Sequence, residues 1–353
     1  MATSHKQIIN PNLSKYKGKG YTGLANLGNT CFLNSAMQVL HHTYEINEIL
    51  DKITTHLNSE DGSLINEWNE LRLLMWANNG VISPNKFVHG VHQLAVKKGK
   101  DLFTGWAQND MPEFLLFIMD CMHMAIKRPV NMRISGQAQT TTDNTAIECY
   151  KLLQTVYSTE YSEIMQICYG ISVTYLTTMD SKTIHSIKPE QFFMLNLEIL
   201  SETGQPITSL NDCFRHYTKD EELVGENAWY NENTGKKEDI KKNIRFWNFP
   251  QVLVIALKRF SIDGQRKLQS LVDFPLEQLD LSEYVVGYHP KSYIYDLFGI
   301  CNHMGGVMGG HYTAFVKNAE SKWLHYNDTQ VEELRNISQI VSPAAYCLFY
   351  RKR

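Results

Sequence analysis

The chain has 353 residues, 43% of them hydrophobic, 20% charged and 11% aromatic, as expected for a globular protein with a sizeable core in one large or two smaller domains. Its 34 basic and 37 acidic residues give a net charge of −3, which argues against nucleic acid or a membrane surface as a partner. The polar start and the shortness of apolar runs such as VLVIAL (252–257) predict neither a secretion signal nor a membrane span.

The seven cysteines are an odd number and include no C-x-x-C pair. This pattern predicts reduced thiols in a cytoplasmic or nuclear protein, most of them small core residues, rather than a disulfide framework.

Helical signals dominate the first third of the chain. After residues 1–20, which are expected to form a flexible or loosely docked arm, apolar residues recur at helical spacing from about 29 to 125. They predict helices at CFLNSAMQVLHH (31–42), LINEWNELRLLMWA (64–77) and DMPEFLLFIMDCMHMAI (110–126). In the last helix Asp110 is the expected N-cap and Glu113 has the capping-box spacing.

The pattern changes in the second half. The polar stretch 134–146 is predicted to be a surface loop, and from about residue 170 short β-branched or aromatic runs bounded by turn residues predict strands. One helix is expected among them, at 209–223. The predicted fold class is therefore α+β, with a helical lobe followed by an antiparallel β lobe.

Cys31 is the first candidate for chemistry. It stands at the start of an apolar helix, where unpaired backbone N–H groups and the positive end of the helix dipole favour a thiolate. A small core cysteine would fit the same position, because nucleophilic catalysis also needs a base and an oxyanion site.

A base is offered 280 residues later, in NHMGGVMGGHYTAFVKN (302–318). His311 follows two glycines and enters a predicted strand, and glycines suit a site where an extended peptide passes close to the backbone. Asn327 and Asp328, in KWLHYNDTQV (322–331), could each orient the imidazole through its Nδ1–H. A buried structural histidine and an ordinary turn remain alternatives, but the three elements together favour a papain-type Cys-His-Asn/Asp triad.

These stretches resemble a known family. GLANLGNTCFLNSAMQVL (23–40) resembles the Cys box of the ubiquitin-specific proteases, and the two stretches around His311 and Asn327 resemble their His box. QNDMPEF (108–114), FPQVLVIALKRF (249–260) and FPLEQLDLSEY (274–284) are similar to three further elements of that family, in the same order. The resemblance covers about residues 21–352 and implies a papain-like fold, with a helical thumb at about 21–155 and β-rich fingers and palm at about 156–353.

The resemblance also implies roles for individual residues. Cys31 would be the nucleophile, His311 the base and Asn327 the third triad member, with Asp328 in support. Asn26 would stabilise the oxyanion, although a turn-forming asparagine would fit its position equally well.

The remaining implied residues would bind the Gly-Gly tail of ubiquitin. Those lining or flanking a narrow slot would be Gly309, Gly310, Tyr312 and His303, and those meeting polar groups or a leucine of the tail would be Gln108, Asp110, Glu113 and Phe260. Asp110 and Glu113 also have an alternative role as helix caps, and both roles hold only if one carboxylate faces solvent. The loops 261–270 and 303–309 would cover the tail.

One departure from the family concerns zinc. Two C-x-x-C pairs that hold a structural zinc in many members correspond here to Thr178, Ser181, Asn231 and Thr234, none of which supplies a thiolate. No metal and no other cofactor is therefore expected. The predicted function is a thiol-dependent deubiquitinase acting as a monomer on ubiquitin and ubiquitylated proteins. The alternatives are a protease for a ubiquitin-like modifier and a catalytically weak ubiquitin-binding scaffold.

Overall fold

A computed structural model describes residues 9–53, 57, 59–261, 263–307 and 309–353. Helices occupy most of the first half of this described chain and strands most of the second half. The helices are α1 (Cys31–His41), α2 (Tyr44–Leu50), α3 (Glu60–Ala77), α4 (Asn85–Lys97), α5 (Met111–Ile126), α6 (Thr141–Glu160), α7 (Glu163–Cys168) and α8 (Leu210–Tyr217).

The strands follow the same chain order. They are β1 (Gly23–Leu24), β2 (Val81–Ile82), β3 (Gly170–Thr178), β4 (Ile184–Phe192), β5 (Met194–Glu198), β6 (Glu221–Leu223), β7 (Trp229–Asn231), β8 (Lys236–Glu238), β9 (Ile240–Asn248), β10 (Val252–Lys258), β11 (Leu279–Asp280), β12 (Ile294–Gly306), β13 (Gly309–Lys317), β14 (Trp323–Asn327), β15 (Gln330–Glu333) and β16 (Ala345–Lys352).

Helix α1 is the centre of the helical lobe. The chain enters it through a turn in which Gly28 (φ +106°) and Asn29 (φ +56°) take left-handed backbone conformations, which glycine and asparagine tolerate best. All residues of α1 are buried, so the helix runs through the core rather than over its surface. It packs directly against β13 and β12 of the main sheet.

The main sheet has the order β15-β14-β13-β12-β16-β10-β5, and β11 pairs with β12. Most neighbours in it are antiparallel, as predicted, but β10 and β5 are parallel. One face of this sheet packs on the helices, and the other face packs on α8 and the segment around Tyr284. The sheet is thus buried on both faces, which fits the apolar character of β10.

A second sheet, of order β4-β3-β9-β6, and the hairpin β7–β8 form the fingers. At their tips, carboxylates accept hydrogen bonds from three of the four residues that stand where zinc ligands would lie, Thr178, Asn231 and Thr234. Asp180 accepts a hydrogen bond from the Thr178 hydroxyl, and Glu238 accepts hydrogen bonds from Asn231 and Thr234. Each turn is therefore closed by side-chain hydrogen bonds.

Two predictions about secondary structure need correction. The predicted loop at 134–146 ends early, because Thr140 and Asp143 form a capping box that starts α6 at Thr141. The helix predicted at 209–223 stops at Tyr217, and its last residues form β6, where Glu221 pairs with Lys242.

Residues 9–20 of the predicted arm are docked on the rest of the protein. Residues 1–8 of the arm lie outside the described residues. Tyr16 is 4% exposed and packs on Tyr44 and Trp76. The backbone carbonyl of Gly20 accepts a hydrogen bond from the Tyr326 hydroxyl. Residues 9–20 therefore contact both the helical lobe and the main sheet. Burial of the Tyr16 ring stabilises this docking.

Candidate active site

The Cys31 thiol lies at the start of α1 and is 2% exposed. Burial raises the pKa of this thiol, and the negative charge of Asp328 raises it further, while hydrogen bonds from the backbone of Tyr312, Phe32 and Cys31 itself lower it. The helix terminus thus acts in the direction predicted, but the loss of solvent outweighs it and favours the neutral thiol. The thiol needs a base to become a nucleophile.

His311, on β13, is the candidate base. It directly precedes Tyr312, whose backbone hydrogen-bonds the Cys31 thiol. Its Nε2 lies 2.7 Å from Oδ1 of Asn327, which comes from the end of β14. The prediction that the imidazole would be oriented through Nδ1 is therefore wrong: Nε2 carries the proton donated to Asn327. This tautomer leaves Nδ1 as the nitrogen that can accept the thiol proton.

Asp328 does not share the task of Asn327. Its backbone takes a left-handed conformation (φ +50°), and its two carboxylate oxygens accept hydrogen bonds from Asn34 Nδ2 (2.7 Å) and Asn26 Nδ2 (3.0 Å). Asn34 lies on α1, one turn after Cys31. Its hydrogen bond to Asp328 therefore joins the end of β14 to the helix that carries Cys31. Its support goes to Asn26, not to the imidazole.

Asn26 shapes a turn, which is one of the two roles that the sequence left open, and its geometry is compatible with the other. Its Oδ1 accepts hydrogen bonds from the backbone N–H groups of Gly28 and Thr30, both 3.1 Å away, and so shapes the turn that leads into α1. One N–H of its amide is held by Asp328. The amide carries a second N–H, and the side chain is exposed, so a donor remains for an oxyanion.

The predicted tail-binding residue Gln108 uses its side chain inside the protein. Its Nε2 donates to the backbone oxygen of Gly310 (2.6 Å), and its Oε1 accepts from the N–H of the same residue (2.8 Å). Asp110 caps α5, as predicted, by accepting from the Glu113 N–H, and it also accepts a hydrogen bond from Tyr346. Burial raises the pKa of Asp110, and the Tyr346 hydrogen bond lowers it.

Glu113 is exposed, so one carboxylate of the pair faces solvent, which was the condition for a double role. Its N–H is the group that Asp110 caps.

An aromatic cluster lies beside the glycines of β13. His303 packs on Tyr312 (ring centroids 4.6 Å apart), Tyr346 and Phe260. Burial, and secondarily the charge of Lys267, lowers the pKa of His303 to about 4, so its ring is neutral. A Cβ at Gly310 would lie 2.3 Å from His303 Nε2, and only glycine fits there.

The two predicted covering loops are also linked. Lys267 donates a hydrogen bond to the backbone oxygen of His303, which connects the loop 261–270 to the start of the loop 303–309. Ile262 and Met308, one in each loop, lie outside the described residues.

Two residues of this region were missed by the sequence analysis. Tyr346 contacts Asp110 from β16, and Asn34 holds Asp328 from α1. The sequence contained a local indication for Asn34, because a residue three positions after Cys31 lies on the same face of the predicted helix. Tyr346 had none, because its partner is 236 residues away.

Within the described residues, no group of three or more His, Cys, Asp or Glu side chains is arranged to hold a metal ion. None of the described helices is both long enough and apolar enough to cross a membrane.

Known proteins resemble the chain along nearly its whole length. The family described as ubiquitin carboxyl-terminal hydrolase matches residues 22–350. Ubiquitin carboxyl-terminal hydrolase 2 from Homo sapiens is 32% identical over 350 residues, which cover 96% of this chain and 56% of that protein. The protein of the same name from Gallus gallus is 32% identical over 346 residues, covering 94% of this chain and 93% of the relative.

The chain thus spans little more than half the length of the Homo sapiens relative. Among solved structures, the SAGA DUB module bound to monoubiquitin superposes with a TM-score of 0.71 at 22% identity, covering 99% of this chain and 72% of the other. That likeness concerns the fold, an α+β papain-like arrangement of helical thumb, palm and fingers.

Proposed function

Because the chain belongs to the ubiquitin carboxyl-terminal hydrolase family, we propose that it is a cysteine-type deubiquitinase that hydrolyses the peptide or isopeptide bond after the C-terminal glycine of ubiquitin. One observation carries the proposal: Nε2 of His311 lies 2.7 Å from the side-chain oxygen of Asn327. His311 belongs to β13, the strand whose backbone also hydrogen-bonds the Cys31 thiol. A nucleophile, a base and an orienting group on three separate elements form the arrangement of papain-type acyl transfer.

In the proposed reaction, Nδ1 of His311 takes the thiol proton and the Cys31 sulfur attacks the carbonyl carbon of the last glycine. The tetrahedral intermediate collapses when His311 returns the proton to the leaving lysine amine, which breaks the C–N bond and leaves a thioester. Water, deprotonated by the same imidazole, then attacks the thioester and restores the thiol. Asn327 keeps the tautomer constant through both steps, because it accepts the Nε2–H throughout.

The oxyanion would be bound by the second N–H of the Asn26 amide and by backbone N–H groups at the start of α1. Both lie next to Cys31 in the chain and are fixed before substrate arrives, Asn26 by its turn and by Asp328. Preorganised donors of this kind contribute about 10²–10³-fold to turnover each.

Selectivity for a Gly-Gly tail is supported by the close packing around β13. Side chains at Gly310 would collide with His303, and Gly305 and Gly309 take backbone conformations (φ +111° and +156°) that suit glycine. Because these glycines carry no side chains, the hairpin leaves its backbone open to the close approach of an extended chain, as the proposed binding of the tail requires. The proposed partners are ubiquitin and ubiquitylated proteins, met as a monomer in the cytoplasm or nucleus.

The test is reaction with ubiquitin whose C-terminal carboxylate is replaced by an electrophile. We expect a covalent adduct one ubiquitin heavier on a denaturing gel, with the modification mapped to Cys31 by mass spectrometry. The Cys31→Ala variant should give no adduct while retaining ubiquitin binding, and Cys149→Ala, which changes a buried cysteine of α6, should react like the unchanged protein. Labelling by a ubiquitin-like modifier's probe but not by ubiquitin would move the substrate, and no labelling by any probe would refute the activity.

A further inference from the structure

We propose that Gln108 is a positioning residue, which holds the end of β13 that carries His311 against the helical lobe, rather than a ligand of the substrate tail. This inference rests on the proposed function for the reaction in which His311 takes part. It concerns a contact between the two lobes that neither the sequence pattern nor the chemistry of the triad requires.

The contact is a pair of hydrogen bonds between one side chain and one backbone residue. The Gln108 carboxamide donates to the oxygen of Gly310 at 2.6 Å and accepts from its N–H at 2.8 Å. A carboxamide has the same donor and acceptor as a peptide group, so Gln108 completes the edge of β13 as a residue of a neighbouring strand would. Both ends of its polar group are thereby used.

The edge is available because the strands of the sheet differ in length. In the described residues, the ladder between β13 and β14 runs from Ala314 to Lys317, which leaves the first residues of β13 without a strand on that side. On the other side, Gly310 lies opposite Gly305 of β12, but its N–H points to Gln108. Without Gln108, the backbone polar groups of Gly310 would lose their partners at the site.

The position of Gly310 explains why this matters for His311. The carbonyl of Gly310 and the N–H of His311 belong to one rigid peptide unit, so the bond from Gln108 Nε2 fixes the plane from which the His311 side chain starts. The preceding residues, Gly309 and Gly310, have no Cβ and restrict the backbone least. A contact from outside the strand therefore limits how far the backbone that carries His311 can move, whereas Asn327 holds the imidazole itself.

Gln108 is the first of three residues in the segment 108–111 that form hydrogen bonds to the main sheet. Tyr346 of β16 donates to Asp110, and the Tyr312 hydroxyl accepts from the N–H of Met111 at 3.4 Å. Since Cys31 belongs to the helical lobe and His311 to the main sheet, the distance between nucleophile and base depends on how the lobes are joined here. Gln108 is the tie next to the base.

The test uses Gln108→Ala, which removes both bonds, and Gln108→Glu, which keeps the shape and the acceptor but places a carboxylate against the Gly310 carbonyl. Asn109→Ala is the matched control, because its side chain bonds only the neighbouring oxygen of Ala107. Steady-state hydrolysis of ubiquitin carrying a C-terminal fluorogenic amide gives kcat and KM, and alkylation of Cys31 by iodoacetamide at pH 7, read by peptide mass, gives thiol activation without ubiquitin. Gln108 is exposed, so both variants are expected to fold, and circular dichroism checks this.

We expect kcat to fall about tenfold in both Gln108 variants, with KM within about twofold. Gln108→Ala loses two hydrogen bonds of ordinary strength, and Gln108→Glu loses one and gains repulsion between its carboxylate and the Gly310 carbonyl. Alkylation of Cys31 should slow in parallel, and Asn109→Ala should match the unchanged protein. The deficit of Gln108→Glu should shrink as the pH is lowered from 8 to 5, because a protonated carboxyl regains the donor of the carboxamide.

A rise in KM with unchanged kcat would show that Gln108 binds the tail and would overturn the proposal, and a rise in kcat/KM would overturn it by showing a gate. If the unchanged protein does not hydrolyse the substrate, the proposed function fails, and the alkylation rates alone decide this inference. Slower alkylation in both variants would then support it, and equal rates would overturn it.

Discussion

Replacing Asp328 by asparagine should impair turnover through the oxyanion site, not through the base. Asp328 accepts hydrogen bonds from Asn26 and Asn34, and the bond to Asn26 orients the amide that we propose binds the oxyanion. Asparagine tolerates the left-handed backbone of this position (φ +50°), so the change removes an acceptor without adding backbone strain. It replaces one carboxylate oxygen by an NH₂ group, which must face another NH₂ group.

The size of the effect follows from what remains. Hydrogen bonds to a charged group contribute about 1.5–3 kcal/mol, but Asn26 keeps its two bonds within the turn, so only the orientation of its amide is lost. We expect kcat to fall about tenfold, equivalent to about 1.4 kcal/mol. Complete removal of the donor in Asn26→Ala should cost about 10²–10³-fold.

The assay is a double-mutant cycle with fluorogenic ubiquitin. If Asp328 acts through Asn26, then Asp328→Asn should cost almost nothing in the Asn26→Ala background, whereas Asn327→Ala should remain costly in that background because it acts on His311. Losses in the double variant of Asp328 and Asn26 that simply add would refute this reasoning and would make Asp328 a partner of the imidazole or a purely structural residue.

Two further predictions concern stability. His41 is fully buried, and burial lowers its pKa and brings that of the neighbouring His42 to about 4. The unfolded state therefore binds more protons below pH 6.5, and stability should fall as the pH drops from 6.5 to 4. Urea unfolding at pH 7 and 5 measures how much the free energy of unfolding falls with pH. This fall should be smaller in His41→Phe than in the unchanged protein, by about 1 kcal/mol per pH unit, and equal falls would contradict the assignment to His41. Arg351→Ala should lower the free energy of unfolding by about 3 kcal/mol because it strands the fully buried carboxylate of Glu45, whereas Arg353→Ala, at an exposed pair, should change it by less than about 1 kcal/mol in the same measurement.

Much of the site could be predicted because its signals are local. A helix that begins at Cys31 and an N-cap at Asp110 depend on residues within one or two turns, and both predictions are confirmed. The start of α6 at Thr141 was missed although its capping box is equally local, because the polar composition of 134–146 masked it.

The triad geometry could not be derived in the same way. Asn327 and Asp328 are adjacent and chemically similar, so the sequence offered both as partners of His311. The register of β14 against β13 turns Asn327 toward the imidazole, and the left-handed turn after it sends the Asp328 side chain to α1 instead. The nitrogen used by Asn327 likewise follows from the placement of two strands and not from residue type.

The sequence by itself determined the elements that carry the chemistry, because helix capping, apolar periodicity and turn residues act between near neighbours in the chain. Only the tertiary structure decided that Gln108 ties itself to Gly310, that burial keeps the Cys31 thiol neutral, and that residues 9–20 dock on both lobes. Each of these depends on groups far apart in the chain, which approach one another only after the helical lobe and the main sheet have packed and solvent has left the space between them.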